Sequence, residues 1–421
     1  MLTVCEANGV FTIGGLFFGG RRFLSGDNTR RNTGEFSGRE KERATMMEAM
    51  DISGMKKDFA AQMDRFMNGL DRPRILVAGA TGAGKSTLAN LVLGCEVCKT
   101  GSGRPVTHGI KEHSLPGVPV IVYDSEGYET GAALDKFASG DSAQAYWSLM
   151  EGFVNEHDDL MEPVDAIWYC ISQPGGRVTD ADLRVIRGFR ELRRPLAVVL
   201  TQADVSDEET ADSLKKVIAE SCGAAIPVFE SSSDMSLPLE RGIAELYEWT
   251  LNSLEESRRE SFVIACHRDF DKKSALCKKY TALAAAAASA PGLSPVPFSD
   301  AAIITPIQLT LVGQILSVWN LMEFKNLIGA AALDVVLPMI GKTVAGNLIK
   351  LIPGAGSFIG GMLNASVAAS LTYGLGMALN ESCQYLSKKT LAGEIPDIRE
   401  IINSDFARKA FEYARNYRSE R

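Results

Sequence analysis

A glycine-rich loop between a short apolar run and a helical pattern constrains the fold of this chain more than any other feature. Residues 74–78 are almost entirely apolar, residues 79–87 read GATGAGKST, and residues 88–93 have helical character. Glycines let backbone N–H groups turn towards an anion, and a helix that starts after the loop directs its positive end to the same point. The G-x-x-x-x-G-K-S spacing is the Walker A pattern, and it predicts a phosphate-binding loop after a strand.

The residue types in this loop indicate what each one does. Lys85 is predicted to reach the β- and γ-phosphates of a nucleotide, and the Ser86 hydroxyl to ligate Mg²⁺. The whole loop is predicted to contact phosphate through Gly79, Ala80, Thr81, Gly82, Ala83, Gly84, Lys85, Ser86 and Thr87.

A second strand-like run, residues 120–123, ends in D-x-x-G. Asp124 is predicted to hold Mg²⁺ through water, and the Gly127 N–H to sense the γ-phosphate. The motif is weak alone, but its position after the Walker A loop strengthens it.

Two later runs end in residues suited to guanine. Residues 198–204 end in T-Q-x-D, where Asp204 is able to accept hydrogen bonds from both N1–H and the 2-amino group, an arrangement that adenine does not offer. Residues 226–232 end in a segment whose backbone N–H groups suit guanine O6. The predicted base-binding residues are Thr201, Gln202, Asp204, Ser231 and Ser232.

The alternation of apolar runs with helical stretches predicts an α/β domain with a mostly parallel sheet covered by helices. Beyond it the composition changes, because residues 301–322 and 351–380 contain no charged side chain. This change predicts an all-helical apolar domain at the carboxyl end. The expected organisation is a flexible leader (1–45), an N-terminal helix (46–72), a nucleotide-binding domain (73–252), the apolar helical domain (253–393) and a charged tail (394–421).

With these motifs in order, residues 74–235 resemble the Era-type branch of the translation-factor-related GTPases. The resemblance implies GTP and GDP with Mg²⁺ as ligands, and hydrolysis of GTP as a molecular switch. It also implies a threonine that contacts Mg²⁺ and the γ-phosphate, for which Thr107 is the candidate and Thr100 the alternative. Residues 262–390 resemble an uncharacterised helical domain that follows such modules in bacterial proteins, with a looser similarity to the immunity-related GTPases.

Three departures from the family pattern bear on hydrolysis and base binding. Gln202 replaces the usual lysine, Tyr128 stands where Ras-like enzymes have a glutamine, and Gly82 stands where potassium-stimulated relatives have asparagine. Arg104 lies three residues before Thr107, the spacing of the in-cis arginine of heterotrimeric α subunits. We interpret it either as a group that stabilises charge on the γ-phosphate or as a solvated loop arginine.

The predicted catalytic residues are therefore Lys85, Arg104, Thr107 and Gly127, and the predicted metal ligands are Ser86, Thr107 and Asp124. Without a catalytic arginine, intrinsic turnover is expected to be slow, down to about 10⁻⁴ s⁻¹.

The two uncharged runs are long enough to span a bilayer, although Pro306 and Pro353 interrupt them. They favour a bundle that is soluble or attached peripherally to a membrane surface, with integral insertion as the alternative. A homodimer is also left open. Two alternative functions remain: membrane assembly or remodelling controlled by nucleotide, and a nucleotide-binding scaffold with negligible turnover.

Charge and cysteine content narrow the classes further. The chain has 52 acidic and 44 basic residues, a net charge of −8, which disfavours DNA coating and leaves contact with RNA or the ribosome open. Eight scattered cysteines indicate a reducing compartment, so a cytoplasmic location is expected, with the cytoplasmic face of a membrane left open. Cys95-x-x-Cys98 with His108 and His113 suggests zinc, but the spacing favours ordinary thiols and imidazoles.

Overall fold

The fold is a central sheet with helices on both faces and a helical region after it. The computed structural model describes residues 61–98, 104–107, 109–127, 142–232, 242–289, 299–321, 365–394 and 404–419. All of these lie in one compact unit, Ser53–Arg421. The predicted leader (1–45), Thr100, His108 and Tyr128 lie outside the described residues. Of the predicted N-terminal helix, residues 61–68 are helical.

In the part of the chain that the structure describes, seven strands form the sheet, in the order β2-β3-β4-β1-β5-β6-β7. Strands β1 and β4–β7 pair in parallel, whereas β2 and β3 form an antiparallel extension at one edge. The strands are β1 (Arg74–Gly79), β2 (Arg104–Thr107), β3 (Ile110–Leu115), β4 (Val118–Ser125), β5 (Ala166–Ser172), β6 (Leu196–Thr201) and β7 (Val228–Glu230).

Six helices accompany or directly follow these strands in the described chain, and four more complete the carboxyl half. The first six are α1 (Lys85–Leu93), α2 (Ser142–Asp159), α3 (Asp180–Glu191), α4 (Glu208–Cys222), α5 (Ile243–Ser253) and α6 (Glu256–Ala265). The remainder are α7 (Phe270–Ala288), α8 (Ser299–Val318), α9 (Ala365–Leu391) and α10 (Ser404–Ser419).

Alternate residues of β1 enter two different apolar cores, which shows that both faces of the sheet are covered. Ile75 and Val77 belong to one core, and Leu76 and Ala78 belong to the other. Successive strand side chains point to opposite faces, so a strand buried on both faces reads as a continuous apolar run. The predicted fold class, a mostly parallel sheet covered by helices with a helical apolar region after it, is confirmed.

The helical region is built on α7, against which α8 and α9 pack, while α10 packs on α9. The uncharged stretch of α8 is buried rather than displayed: Leu311 and Ile315 are fully buried in the same core as β1 and α1. Of the helices in the described ranges, none combines the length and apolar character needed to cross a bilayer. The domain limits proposed from the sequence stay a prediction.

Candidate nucleotide-binding site

A cleft of about 680 Å³ opens at the carboxyl edge of the parallel strands, where β1, β4 and β6 end. Open α/β sheets bind ligands at this edge. Its walls come from three of the predicted motifs. The lining residues are Thr81, Gly82, Gly84, Lys85, Ser86, Thr87, Asp124, Ser125, Glu126, Gly127 and Gln202.

The loop after β1 is held in a curled form by its own lysine. The Nζ of Lys85 donates to the carbonyl oxygens of Gly79 (3.2 Å) and Ala80 (2.8 Å). Burial lowers the pKa of Lys85, and the nearby Asp124 carboxylate opposes that shift. Gly84 precedes α1 with a φ of 74°, a conformation that glycine adopts at little cost. The loop therefore surrounds the Lys85 ammonium group at the start of α1.

Ser86 and Asp124 meet in the cleft, as predicted for two ligands of one Mg²⁺ ion. The Ser86 hydroxyl donates to Asp124 Oδ2 at 2.5 Å. The other oxygen, Oδ1, is buried and finds no hydrogen-bond partner among the residues that the structure describes. Hydroxyl and carboxylate oxygens are the hard ligands that Mg²⁺ prefers, so this pair fits the ion.

Gly127 lies directly against the phosphate loop. A Cβ atom built on Gly127 would lie 2.0 Å from the backbone nitrogen of Thr81 and 2.3 Å from its Oγ1. Only a residue without a side chain fits this approach. The D-x-x-G segment and the Walker A loop are thus in contact at the residue that was predicted to sense the γ-phosphate.

On the other side of the cleft, Thr201 ties three segments together. Its hydroxyl is within hydrogen-bond distance of two carbonyl oxygens, that of Ala83 in the phosphate loop (2.9 Å) and that of Ile171 at the end of β5 (3.2 Å). Gln202 follows in a left-handed conformation with a φ of 59°, and its Oε1 accepts from the Ser172 hydroxyl at 2.8 Å. Thr201 therefore braces the loop, while Gln202 lines the cleft.

Asp204 and Ser232 are brought together from two strand ends. The Ser232 hydroxyl donates to Asp204 Oδ1 at 2.8 Å, and Asp204 is exposed. The N–H of Ser231 donates to Leu200 O, and its carbonyl accepts from Ala203 N–H. The N–H of Ser231, one of the groups considered for guanine O6, is thus already used by Leu200 O.

Arg104 and Thr107 occupy the two ends of β2 at the sheet edge. Arg104 pairs with Glu112 and Thr107 with Ile110. Their side chains are outside the described part of the structure. The roles assigned to them from the sequence therefore stay predictions.

Tyr146 is a site residue that sequence reasoning missed. Its hydroxyl accepts from the N–H of Gly79 at 3.0 Å and lies 2.8 Å from Ser125 Oγ. Burial raises the pKa of this phenol, so it is neutral and joins α2 to the ends of β1 and β4. The sequence carries no motif for this role, because a single tyrosine within a helix is indistinguishable from a core residue.

Comparison with known proteins finds one matching family and a set of similar solved structures. Residues 74–202 match the family described as 50S ribosome-binding GTPase, and no curated protein matches the chain. Similar solved structures include a probable GTP-binding protein engB (17% identity, 43% of this chain and 97% of that chain, TM-score 0.31). Others are Toc33 from Arabidopsis thaliana (20%, 49% and 93%, 0.32) and Aquifex aeolicus Era (19%, 44% and 58%, 0.29).

The family match begins at the first residue of β1 and ends one residue after β6, so it spans the Walker A loop, the D-x-x-G segment and the start of the T-Q-x-D motif. Residues 74–202 of this chain form a P-loop GTPase domain.

Proposed function

We propose that the chain binds GTP and GDP together with Mg²⁺ and hydrolyses GTP as a molecular switch coupled to its helical region. The observation that carries this proposal is the content of one cleft. It holds a lysine amine, a serine–aspartate pair and a contacting glycine at the phosphate end, with Gln202 at the opposite wall.

The residues of the phosphate end have separate tasks. Lys85 exchanges the carbonyl oxygens of its own loop for phosphate oxygens, because charge-assisted hydrogen bonds are stronger than neutral ones. The N–H groups of the loop and of α1 bind the same oxygens. Ser86 and Asp124 hold Mg²⁺, which neutralises charge on the β- and γ-phosphates when it is bound. The N–H of Gly127 then reports the γ-phosphate.

Hydrolysis is in-line attack of water on the γ-phosphate, and turnover is expected to be slow because Tyr128 replaces the glutamine that orients the water. Arg104 is the candidate for supplying additional positive charge. Arg104→Ala should then lower single-turnover phosphate release by up to about 10³-fold. A rate equal to that of the unaltered protein would show that Arg104 is a solvated loop residue, and no release from either protein would favour a scaffold.

Base selection is assigned to Asp204, which sits beside Ser232 at the strand ends. Asp204→Asn should lower GTP affinity by about 10- to 100-fold, since hydrogen bonds to charged groups contribute about 1.5–3 kcal/mol. The same change should favour xanthosine triphosphate, whose base has an accepting oxygen in place of the donating 2-amino group of guanine. An unaltered preference for guanine in Asp204→Asn would show that Asp204 does not select the base.

Coupling to the helical region is supported by a contact at the turn between β3 and β4. The Asn320 amide, just after α8, donates to Gly117 O at 3.4 Å and to Ile264 O at 3.0 Å. The β3–β4 hairpin lies between Thr107 and Gly127 in the chain. Movement of either end of this hairpin therefore reaches the carboxyl side of α8.

The deciding experiment is titration of the full-length protein with GTP, GDP, ATP and ADP, with and without Mg²⁺. We expect Mg²⁺-dependent binding of both guanine nucleotides and weak binding of adenine nucleotides. Limited proteolysis in each state tests the coupling, which predicts nucleotide-dependent cleavage in the helical region. Vesicle flotation with GTP or GDP separates a cytoplasmic protein from one that acts at a membrane surface.

A further inference from the structure

Three metal-ligating side chains from separate parts of the chain meet behind the phosphate loop. They are Cys98, which follows α1, His113 on β3 and Asp124 at the end of β4. One ligand atom from each, the cysteine Sγ, an imidazole nitrogen and a carboxylate oxygen, lies within 4.8 Å of the other two. Cys98 and His113 are 4% and 5% exposed, so two of the three ligands lie inside the protein, and the third, Asp124, lines the nucleotide cleft.

The fold holds the three groups in place. In the antiparallel β3–β4 pair, His113 lies opposite Val122 and Lys111 lies opposite Asp124. His113 and Asp124 are therefore diagonal neighbours on one face of the sheet. Cys98 is fixed by Asn90 of α1, whose Nδ2 donates to Cys98 O (3.0 Å) and whose Oδ1 accepts from Cys98 N–H (2.8 Å).

A second observation points to a missing ligand at the same place. Asp124 Oδ2 is engaged by Ser86, which leaves Oδ1 facing away from that bond. Oδ1 is buried without a hydrogen-bond partner in the described chain. A buried carboxylate oxygen in that state has lost its hydration without gaining a partner, and a bound cation would offset that cost.

We propose that Cys98, His113 and Asp124 bind a divalent transition metal of the Zn²⁺ class, with water as the remaining ligand. Thiolate, imidazole and carboxylate are the donors of zinc sites, whereas Mg²⁺ prefers oxygen ligands. The Cys98 thiol loses its proton to solvent as the sulfur–metal bond forms. Tetrahedral Zn²⁺ places its ligand atoms about 3.3–3.8 Å apart, so shifts of about 1 Å close the site.

Asp124 would then belong to two sites at once. Its Oδ2 accepts from Ser86 at the proposed Mg²⁺ position, which leaves Oδ1 as the oxygen for a metal held with Cys98 and His113. A transition metal on Oδ1 draws negative charge away from Oδ2, so its binding should weaken Mg²⁺-dependent nucleotide binding. This consequence rests on the proposed function, whereas the metal site itself does not.

Co²⁺ titration of the reduced full-length protein tests the site, because Co²⁺ replaces Zn²⁺ and a cobalt–thiolate bond gives a charge-transfer absorption band. We expect the band at one equivalent in the unaltered protein with Mg²⁺ in excess. Cys98→Ser should abolish it. His113→Gln should weaken Co²⁺ binding at least about 100-fold, since loss of an outer-shell partner alone costs about 10–100-fold.

Cys95→Ser is the matched control, because Cys95 lies three residues away and is not part of the cluster. It should keep the band. The site is refuted if the unaltered protein shows no band, or if the band survives in Cys98→Ser and disappears in Cys95→Ser. The unaltered protein and the control decide the matter even where Cys98→Ser unfolds.

A second arm tests the coupling separately. Zn²⁺ should weaken binding of GDP with Mg²⁺ to the unaltered protein and leave binding to Cys98→Ser unchanged. Equal effects on both proteins would refute the shared use of Asp124. A protein that binds no nucleotide yet shows the cobalt band would refute the proposed function and leave the metal site standing.

Discussion

The nucleotide cleft and the junction with the helical region each bury one lysine, and they hold it in different ways. Lys85 is 8% exposed and Lys273 is 1% exposed. Among the described residues, Lys85 donates only to carbonyls of its own loop, five and six residues before it. Lys273 donates to Ile264 O (3.0 Å), Val318 O (2.6 Å) and Asn320 Oδ1, which lie before α7 and around the end of α8.

This difference indicates that Lys85 binds a ligand, whereas Lys273 stabilises the packing of separate segments. The partners of Lys85 belong to a short loop around a cleft, so exchanging them for phosphate disturbs nothing else. The partners of Lys273 belong to separate segments, so losing the amine orphans several carbonyls at once. Burial lowers the pKa of both lysines, and that of Lys273 falls to about 8 although nearby thiols, led by Cys266, oppose the shift.

The largest expected effect is on the cleft. Lys85→Ala should weaken binding of guanine nucleotides by at least about 100-fold, because two charge-assisted hydrogen bonds are lost at about 1.5–3 kcal/mol each. Unfolding by urea should change little. Fluorescent nucleotide titration measures the affinity. Lys216→Ala, at an exposed position on α4, is the control and should bind normally. An unchanged affinity of Lys85→Ala for guanine nucleotides would show that Lys85 does not bind the phosphates.

The opposite result is expected at the junction. Lys273→Met should lower the free energy of unfolding by about 2–4 kcal/mol, because buried acceptors lose their donor while the cost of burying a charge is removed. Nucleotide affinity should change less than in Lys85→Ala. Urea unfolding measures the loss, and Lys278→Met, an exposed position on the same helix, is the control. Equal stability of Lys273→Met and Lys278→Met would contradict a stabilising role for Lys273.

The pH dependence of that loss provides a check on its cause. The pKa of Lys273 is about 8 in the folded protein, below its ordinary value of 10.5. Between these values the unfolded chain binds more protons, so the contribution of this group to stability rises with pH. The stability difference between the unaltered protein and Lys273→Met should therefore grow from about pH 8 to about pH 10.5. A constant difference would mean that burial does not lower the pKa of Lys273.

How much of this was predictable depends on where the partners lie in the chain. The Walker A loop was predictable because its geometry is local, and Asp124 and Gly127 because carboxyl ends of parallel strands meet at one edge. Tyr146 and Lys273 were not, since each contacts backbone groups brought near by tertiary packing. The base motif is an intermediate case, because Thr201 was predicted to bind the base and its buried hydroxyl instead contacts Ala83 O of the phosphate loop.

The group of Cys98, His113 and Asp124 shows the limit of spacing arguments most directly. Cys95-x-x-Cys98 with two later histidines was interpreted as ordinary side chains, because the spacing does not suit a zinc finger. The structure brings Cys98 and His113 to Asp124, a residue already assigned to another motif. Sequence spacing assumes that the ligands of one metal form their own group, and a ligand shared between two sites escapes that assumption.

The smallest expected effect sharpens the comparison within the cleft itself. Gly127→Ala places a methyl group against the Thr81 backbone, so the D-x-x-G segment must move away from the loop. Loss of one hydrogen bond to the charged γ-phosphate, about 1.5–3 kcal/mol, predicts GTP binding weaker by about 10- to 100-fold, with GDP binding unchanged. Gly152→Ala on α2 meets no atom within 4 Å and should instead stabilise the helix by up to about 1 kcal/mol. Both changes add the same methyl group, so a loss of GTP affinity in Gly127→Ala alone is attributable to contact with the phosphate loop. Equal losses of GTP and GDP affinity in Gly127→Ala would show that Gly127 does not distinguish the triphosphate.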